Sequence, residues 1–437
     1  MEFVRRGFRV RYGILLLLCA MYFITYIDRT NISIAGPTIA KDLHFSKVEL
    51  GFIYSAFSYP YALLQMPGGF VGDLLGPKLG LALVGLIWAA ATFATGLTRS
   101  FWTMFAARFG LGFGEAAAFP TATRAMSSWM PPSERGMAQG VVHSASRLGG
   151  ALTPALVVFF ILRWGWPSSF YALGVVSLIW LVVFVIFFRR DPQKDARVGA
   201  AEREEIGVRT VVERPAVPWR RLIAALWPVT LCDFCYGWGL WVYLTWLPGY
   251  LQQSRGFPLA SLALFAALPL IFATVGDTAG GVLSDQLLRR TGSLRIARNW
   301  QLFFGLLLAA ATVIPAVMVR SPILAVIFLS ISFFFLEMNN AVLWAIPMDV
   351  APDFAGTAGG LMNTGFGVAG IVSPVVFAAI IQATGSWQLP FFATGGLMLV
   401  GAIVAITLVR ADRRVLPANA PSVEVAQVMN TIGPTAP

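Results

Sequence analysis

Charge is scarce in this sequence. Of 437 residues only 12% are Asp, Glu, Lys or Arg, against about a quarter in an ordinary soluble chain. Histidine is scarcer still: His44 and His143 are the only two, too few for a histidine metal site, and no nucleophile–histidine–acid set can be assembled from them. Cysteine is limited to Cys19, Cys232 and Cys235, all inside apolar runs. Cys232-x-x-Cys235 has the spacing of a redox or metal motif. It has no second pair and no nearby histidine, so it reads as helix packing and implies no disulfide framework. A large polar domain is also missing; the longest internal polar stretch is 189–221, which excludes a soluble signalling module. The run GFGVAG, Gly365 to Gly370, matches a dinucleotide fingerprint in letters only, because no strand precedes it and it lies inside an apolar run. No cofactor and no metal are expected.

What fills the chain instead is apolar: 57% hydrophobic residues and a mean hydropathy of +0.72. One soluble core cannot hide that surface, whereas a lipid bilayer is itself the apolar solvent. The formal charge of +11 does not imply nucleic acid as a partner, because the basic residues are scattered between apolar runs rather than gathered in a patch.

A spanning helix needs about 20 mostly apolar residues. Twelve such runs are legible, near 12–34, 49–72, 79–98, 101–122, 136–162, 167–188, 222–251, 260–287, 299–319, 322–346, 355–383 and 387–410. Those longer than twenty residues imply tilt or protruding ends. Arg5, Arg6, Arg9 and Arg11 precede the first run, which is too long for a cleaved signal and reads as a spanning helix with a basic cytoplasmic lead. Of the 32 Lys and Arg, three lie within runs and six on one side: Lys41, Lys47, Arg99, Arg163, Arg255 and Arg320; the other 23 lie on the opposite side. By the positive-inside rule both termini are cytoplasmic. The expected organisation is an N-terminal six-helix half (1–188), a cytoplasmic linker (189–221), a C-terminal six-helix half (222–410) and a disordered tail (411–437). The fold class is therefore all-α integral membrane, multi-pass in the cell's inner membrane, and the chain is expected to act as a monomer.

The two halves carry a faint repeat. GGFVGDLLGPKLG follows the second run and GGVLSDQLLRR ends the eighth. Each sets a glycine four residues before an aspartate, Gly69 with Asp73 and Gly281 with Asp285, at equivalent cytoplasmic positions. A gating or structural role is expected for these four. Parallel six-helix halves are a recurring transporter plan.

An ionisable side chain at mid-membrane costs about 2.5–3.5 kcal/mol even on insertion scales, so each one is a functional candidate. The first half holds Asp28, Arg29, Arg108, Glu115, His143 and Arg147; the second holds Asp233, Asp277 and Glu337. Asp28 and Arg29 are helix neighbours, pointing about 100° apart, and so are expected to meet different partners. Arg29 suits a carboxylate, because guanidinium offers a planar fork of donors; Asp28 suits a proton site. A structural ion pair is the competing reading. Arg108 and Glu115, seven apart on one helix face, are too distant for an easy direct pair, so each is expected to meet a neighbouring helix. Burial disfavours a carboxylate's charge and an adjacent cation favours it, the balance a proton carrier needs. His143 and Arg147 are one turn apart on a shared face. They either touch substrate, Arg147 holding a second carboxylate, or bond backbone carbonyls at the inner mouth. Asp277 reads as a structural or gating group; Asp233 and Glu337 either line the cavity or pack, and Asn339, Asn340 and Trp344 share Glu337's surroundings.

The loop Gly69-x-x-x-Asp73-x-x-Gly76-x-Lys78 resembles the inter-helix motif of the major facilitator superfamily, departing from it at Pro77. RFGLGFGE, Arg108 to Glu115, resembles that superfamily's fourth-helix motif. YIDRTNISIAGPTIAKDL, from Tyr26, is similar to the first-helix signature of the anion:cation symporter family, which includes galactonate, glucarate, hexuronate, tartrate and phthalate permeases and sialin. The resemblance implies twelve helices in two pseudo-symmetric halves and no enzyme activity. It implies that Asp28 and Glu115 take protons, that Arg108 links them, and that Arg29 binds substrate. It adds Tyr61, in SYPYALLQMPGG, and Asn363, in LMNTGFG, as substrate contacts. The expected function is proton-coupled uptake of a small organic anion such as a hexonate, hexarate or hexuronate by alternating access. An anion exchanger, or a symporter of an aromatic or dicarboxylic acid, is the alternative. Functional weight is expected in the first half, with the second supplying shape and neutral polar contacts.

Overall fold

In lipid every backbone polar group must be satisfied within the chain, which leaves helices as the way for these runs to cross. The computed structural model describes residues 9–131, 134–207, 217–351 and 355–415, and no strand occurs among them. The side chains of 65–74, 135–137, 139 and 355 are also outside the described residues; Gly69 and Asp73 of the first-half motif fall there.

The first half contains α1 (Val10–Asp42), α2 (Lys47–Ala56 and its continuation from Ser58), α3 (Leu75–Leu97), α4 (Phe101–Ala116 with Ala118–Trp129), α5 (Arg135–Trp164) and α6 (Trp166–Phe187). The second contains α7 (Trp219–Gln253), α8 (Leu259–Phe265 with Ala267–Thr291), α9 (Arg295–Trp300 with Gln301–Met318), α10 (Pro322–Glu337 with Asn340–Val350), α11 (Ala355–Thr384) and α12 (Gln388–Thr407). Among the described residues, ten of the twelve are long and apolar enough to cross a membrane by length and composition; α2 and α4 complete the bundle. Several helices outrun the apolar stretches. The 33 residues of α1 measure about 50 Å at 1.5 Å each against a hydrocarbon core of about 30 Å, so its polar end through Lys41 and Asp42 continues beyond that core.

Lipid-facing rows identify the periphery. Leu83, Leu86 and Ile87 of α3, Val175, Ile179 and Val182 of α6, Phe304 and Leu308 of α9, and Leu399 and Ile403 of α12 are exposed. The halves meet instead through α1 with α7, α2 with α11, and α5 with α8. Two close approaches repeat across the halves. Gly149 of α5 lies under the Phe23 carbonyl of α1, and Gly365 of α11 under the Thr230 carbonyl of α7; a Cβ at either position would overlap that oxygen. Gly365 opens the GFGVAG run, whose glycine therefore serves helix contact.

Breaks in the helices repeat too. The second and fourth helices of each half are interrupted, at Phe57 in α2, Ala117 in α4, Ala266 in α8 and Met338–Asn339 in α10. At Gly76 the backbone takes φ 75°, which a glycine adopts without penalty; this turn lies at the start of α3, where the chain leaves α2.

One end of the bundle carries both described chain ends. There the linker forms a short helix, Ala200–Ile206. Glu202 accepts hydrogen bonds from the backbone N–H groups of Val10 (3.3 Å) and Arg11 (3.0 Å), capping α1, whose own N-cap residue Arg9 supplies no side-chain bond. Arg11 is buried and pairs with Glu205 at 2.8 Å and Glu134 at 2.7 Å. The opposite end is tied between halves. Lys47 donates to Gln253 and stacks over Trp387, and the Val48 N–H donates to Gln382 at 3.2 Å. Close by, a Cβ on Gly51 would stand 2.8 Å from the Pro374 carbonyl and 2.9 Å from Ala378.

Gly51→Leu should therefore wedge this end open. Overpacking of about 1–3 kcal/mol shifts a two-state population by roughly five- to a hundredfold. A cysteine placed at Gln382 should react faster with a membrane-impermeant thiol reagent in the Gly51→Leu background. Unchanged labelling would mean that this contact does not close the end.

Candidate functional site

Two ion-pair centres lie where the halves meet, the first buried and the second partly so. The first belongs to the N-terminal half. Arg29 Nε donates to Glu115 Oε2 at 2.6 Å, with Glu115 fully buried. The Arg29 guanidinium is boxed by aromatic rings, with centroids at 4.5 Å (Tyr61), 4.8 Å (Phe119), 5.0 Å (Phe57) and 5.2 Å (Tyr26). These π faces stabilise a cation whose side chain is only 10% exposed. Arg29 Nη2 and Glu115 Oε1 are buried without a hydrogen-bond partner among the described residues.

Asp28 points elsewhere. Its Oδ2 accepts from Ser177 Oγ of α6 at 3.4 Å, and Ser177 accepts from Trp88 Nε1 of α3 at 2.8 Å. The divergence of Asp28 and Arg29 follows from their one-residue separation on a helix. Arg108 Nη1 donates to the main-chain carbonyl of Asp28 at 3.3 Å. Both α4 charges thus meet α1, as their spacing requires. The link that the resemblance assigned to Arg108 takes a different form here: its bond goes to the Asp28 backbone rather than the carboxylate, and Arg29 is the cation bonded to Glu115.

The second centre crosses the interface. Arg147 Nη2 of α5 lies 3.1 Å from Asp277 Oδ2 of α8 and 3.1 Å from Glu337 Oε2 of α10. Asn340 Nδ2 donates to Asp277 Oδ1 at 3.1 Å, and the Tyr236 hydroxyl of α7 donates to Glu337 Oε1 at 2.9 Å. His143, one turn before Arg147, sets its ring edge-on to Tyr22 with centroids 5.5 Å apart. Tyr26 lies against Arg29, its ring centroid 5.2 Å from the guanidinium.

This two-half helical bundle, with buried charge at its seam, has known counterparts. The sequence matches the Major Facilitator Superfamily over residues 18–374 and again over 293–433. The chain belongs to that superfamily. Among superfamily members it is 51% identical over 407 residues to a probable sulfoacetate transporter of Cupriavidus necator, covering 92% of this chain and 95% of that one. It is 30% identical to a hexuronate transporter of Bacillus subtilis, covering 91% and 94%. It is 31% identical to a probable galactarate/D-glucarate transporter of Escherichia coli, covering 93% and 94%. The fold is also that of a bacterial homologue of the human lysosomal transporter Spinster in an inward-facing, unoccupied crystal structure. The TM-score is 0.76 over 93% of this chain and 99% of that one, at 18% identity. The chain is thus a member of a transporter superfamily, and these relatives are named as transporters of small organic anions.

The remaining sequence candidates are distributed unevenly. Asn363 is half-buried on α11. Asp233 does not join the Arg147 centre; its Oδ2 accepts from the Phe366 N–H at 3.1 Å, tying α7 to α11 beside Gly365. Asn339 bonds back to its own helix, whereas Asn340 joins Asp277. Gly281 packs 3.4 Å from Ala341, measured from an added Cβ, and Asp285 is exposed. The polar tie at that end is made by Arg298, which donates to Asp349 at 2.8 Å and to Ser284. The expectation of a neutral second half is corrected: Asp277 and Glu337 bring charge to the seam. Tyr26, Phe57 and Phe119 were missed as box residues. Tyr26 precedes Arg29 by three, Phe119 follows Glu115 by four, and Phe57 precedes Tyr61 by four, spacings that share a helix face.

Removing one partner of a buried pair strands the other, at about 3–5 kcal/mol. Arg29→Met and Glu115→Gln should each lower the apparent melting temperature of detergent-purified protein, and the double variant should recover much of the loss. Additive losses would mean that the 2.6 Å contact contributes no coupling.

Proposed function

We propose that this transporter carries a small organic dianion together with protons, using Arg29 and Arg147 as anchors and Asp28 and Glu115 as proton carriers. The observation that carries the reading is the Arg29–Glu115 pair. A guanidinium held in an aromatic box, with Nη2 unpartnered and Nε bonded to a carboxylate, is an anion site occupied by the protein's own acid. Protonation of Glu115 removes that internal competitor. Arg29 then needs a counter-charge, and an anionic substrate supplies it. Tyr61 shapes the box, and Asn363 and His143 are proposed to line the route.

Both termini are proposed to face the cytoplasm of a bacterial inner membrane. The end tied by Lys47, Gln253 and Gln382 is then the outer end, closed here. In the proposed cycle the outward state accepts protons at Asp28 and Glu115, the substrate binds the freed arginines, and the charge-matched interior closes and opens inward. Closure over an unmatched charge is costly, which favours movement of the loaded form. Gly69, Asp73, Gly281 and Asp285 are proposed to act at the cytoplasmic gate.

A short carboxylate bearing a sulfonate, with sulfoacetate the first to test, is favoured by the relative at 51% identity. Sugar acids are the second reading, favoured by the relatives at 30% and 31%.

Proteoliposomes given external sulfoacetate should take it up faster with an inward proton gradient and alkalinise the outer medium. Uptake of every tested anion without a pH change would overturn proton coupling. In purified protein, wild-type binding should weaken as pH rises and Glu115 ionises, whereas Glu115→Gln should bind with a weaker pH dependence. Retention of the full wild-type pH dependence would remove Glu115 from the mechanism.

A further inference from the structure

The two ion-pair centres are related by the repeat of the fold. Glu115 is the penultimate residue of the first segment of α4 and Glu337 the last residue of the first segment of α10, each segment sixteen residues long and followed by a helix break. Both carboxylates are fully buried, and each faces an arginine from the interface helices α1 and α5. Glu337 therefore occupies in the second half nearly the place that Glu115 occupies in the first.

The surroundings of Glu337 differ in one respect. Its arginine is shared. Arg147 Nη2 makes a hydrogen bond to Asp277 Oδ2, while Glu337 Oε2, also 3.1 Å away, lacks hydrogen-bond geometry and is buried without a partner among the described residues. The groups that face this centre are Arg147 and His143 from α5, Asp277 from α8, Tyr236 from α7, Asn340 from α10 and Tyr26 from α1. With His143 neutral and both acids ionised, the set holds two negative charges against one positive. Burial of a surplus charge is costly by several kcal/mol, and a surplus negative charge also repels an anion. One proton on the acid pair removes both problems.

We propose that Glu337, sharing Arg147 with Asp277, is a proton-binding site of the second half whose protonation frees Arg147 for the second anionic group of the substrate. The proposal rests on the proton-coupled reading above and adds a proton carrier to it. It also supplies a basis for preferring dianions: a monoanion satisfied at Arg29 has no use for Arg147, whereas a dianion recruits it and takes up the additional proton.

The slope of log Kd against pH counts the protons taken up with the ligand. Full-length protein in detergent is titrated with sulfoacetate and, separately, with ethanesulfonate as a monoanion. For sulfoacetate, Glu337→Gln should lower the slope by one relative to wild type, so that Kd changes about tenfold less per pH unit; the ethanesulfonate slope should not change. Arg147→Gln, which leaves no arginine for protonation to free, should give the same loss of one for sulfoacetate. It carries the test if Glu337→Gln does not fold. Weaker binding at every pH with an unchanged slope would assign Glu337 a structural role and overturn the proposal. Wild-type slopes of zero for both ligands would overturn proton coupling itself, and this inference with it. A wild-type slope that both variants retain overturns the inference alone.

Discussion

Hydrocarbon does not tolerate an unmatched charge, and the interior of this protein is arranged around that constraint. Three arginines lie within the spans. Arg29 is held by Glu115 and four rings, Arg108 by a main-chain carbonyl, and Arg147 by two carboxylates. None is left to lipid. On the proposed reading the same constraint drives transport: an arginine cannot lose its internal acid unless something else neutralises it, so proton and substrate movements are tied by the cost of leaving charge bare.

The internal repeat explains where these charges stand. The second and fourth helices of both halves break, and an acid stands within one residue of the end of the first segment of each fourth helix. The fifth helix of each half is drawn against the first by a glycine under a carbonyl. These features place Glu115 and Glu337, and the helices around them, in related positions on either side of the seam. The two centres nevertheless differ in kind. Arg29 and Glu115 belong to one half, whereas Arg147 meets acids of the other. Relative motion of the halves leaves the first pair intact and must strain or part the second.

Much of this was legible in the sequence because lipid imposes rules that act locally. Twenty apolar residues make a span, and an intramembrane charge stands out against its neighbours. The divergence of Asp28 from Arg29, and the separate partners of Arg108 and Glu115, followed from helix geometry alone. The partners themselves did not. Arg147 and Asp277 are 130 residues apart, and no periodicity connects them; their meeting is a property of how two halves dock. Functional weight was accordingly assigned too heavily to the first half. Helix ends were also misjudged where polar residues extend a helix past the apolar core, as at Lys41 and Asp42, since lipid sets no rule there.

The contact of Gly149 with the Phe23 carbonyl has one more consequence. Arg29 and Arg147 stand on the two helices that this contact joins. Their separation is therefore set by main-chain atoms rather than by side chains that can repack. If both arginines grip substrate, they form a calliper with a fixed gap, and selection by ligand length is written into the backbone. Relatives that handle longer or shorter anions would then change the lining of the gap while leaving its width alone.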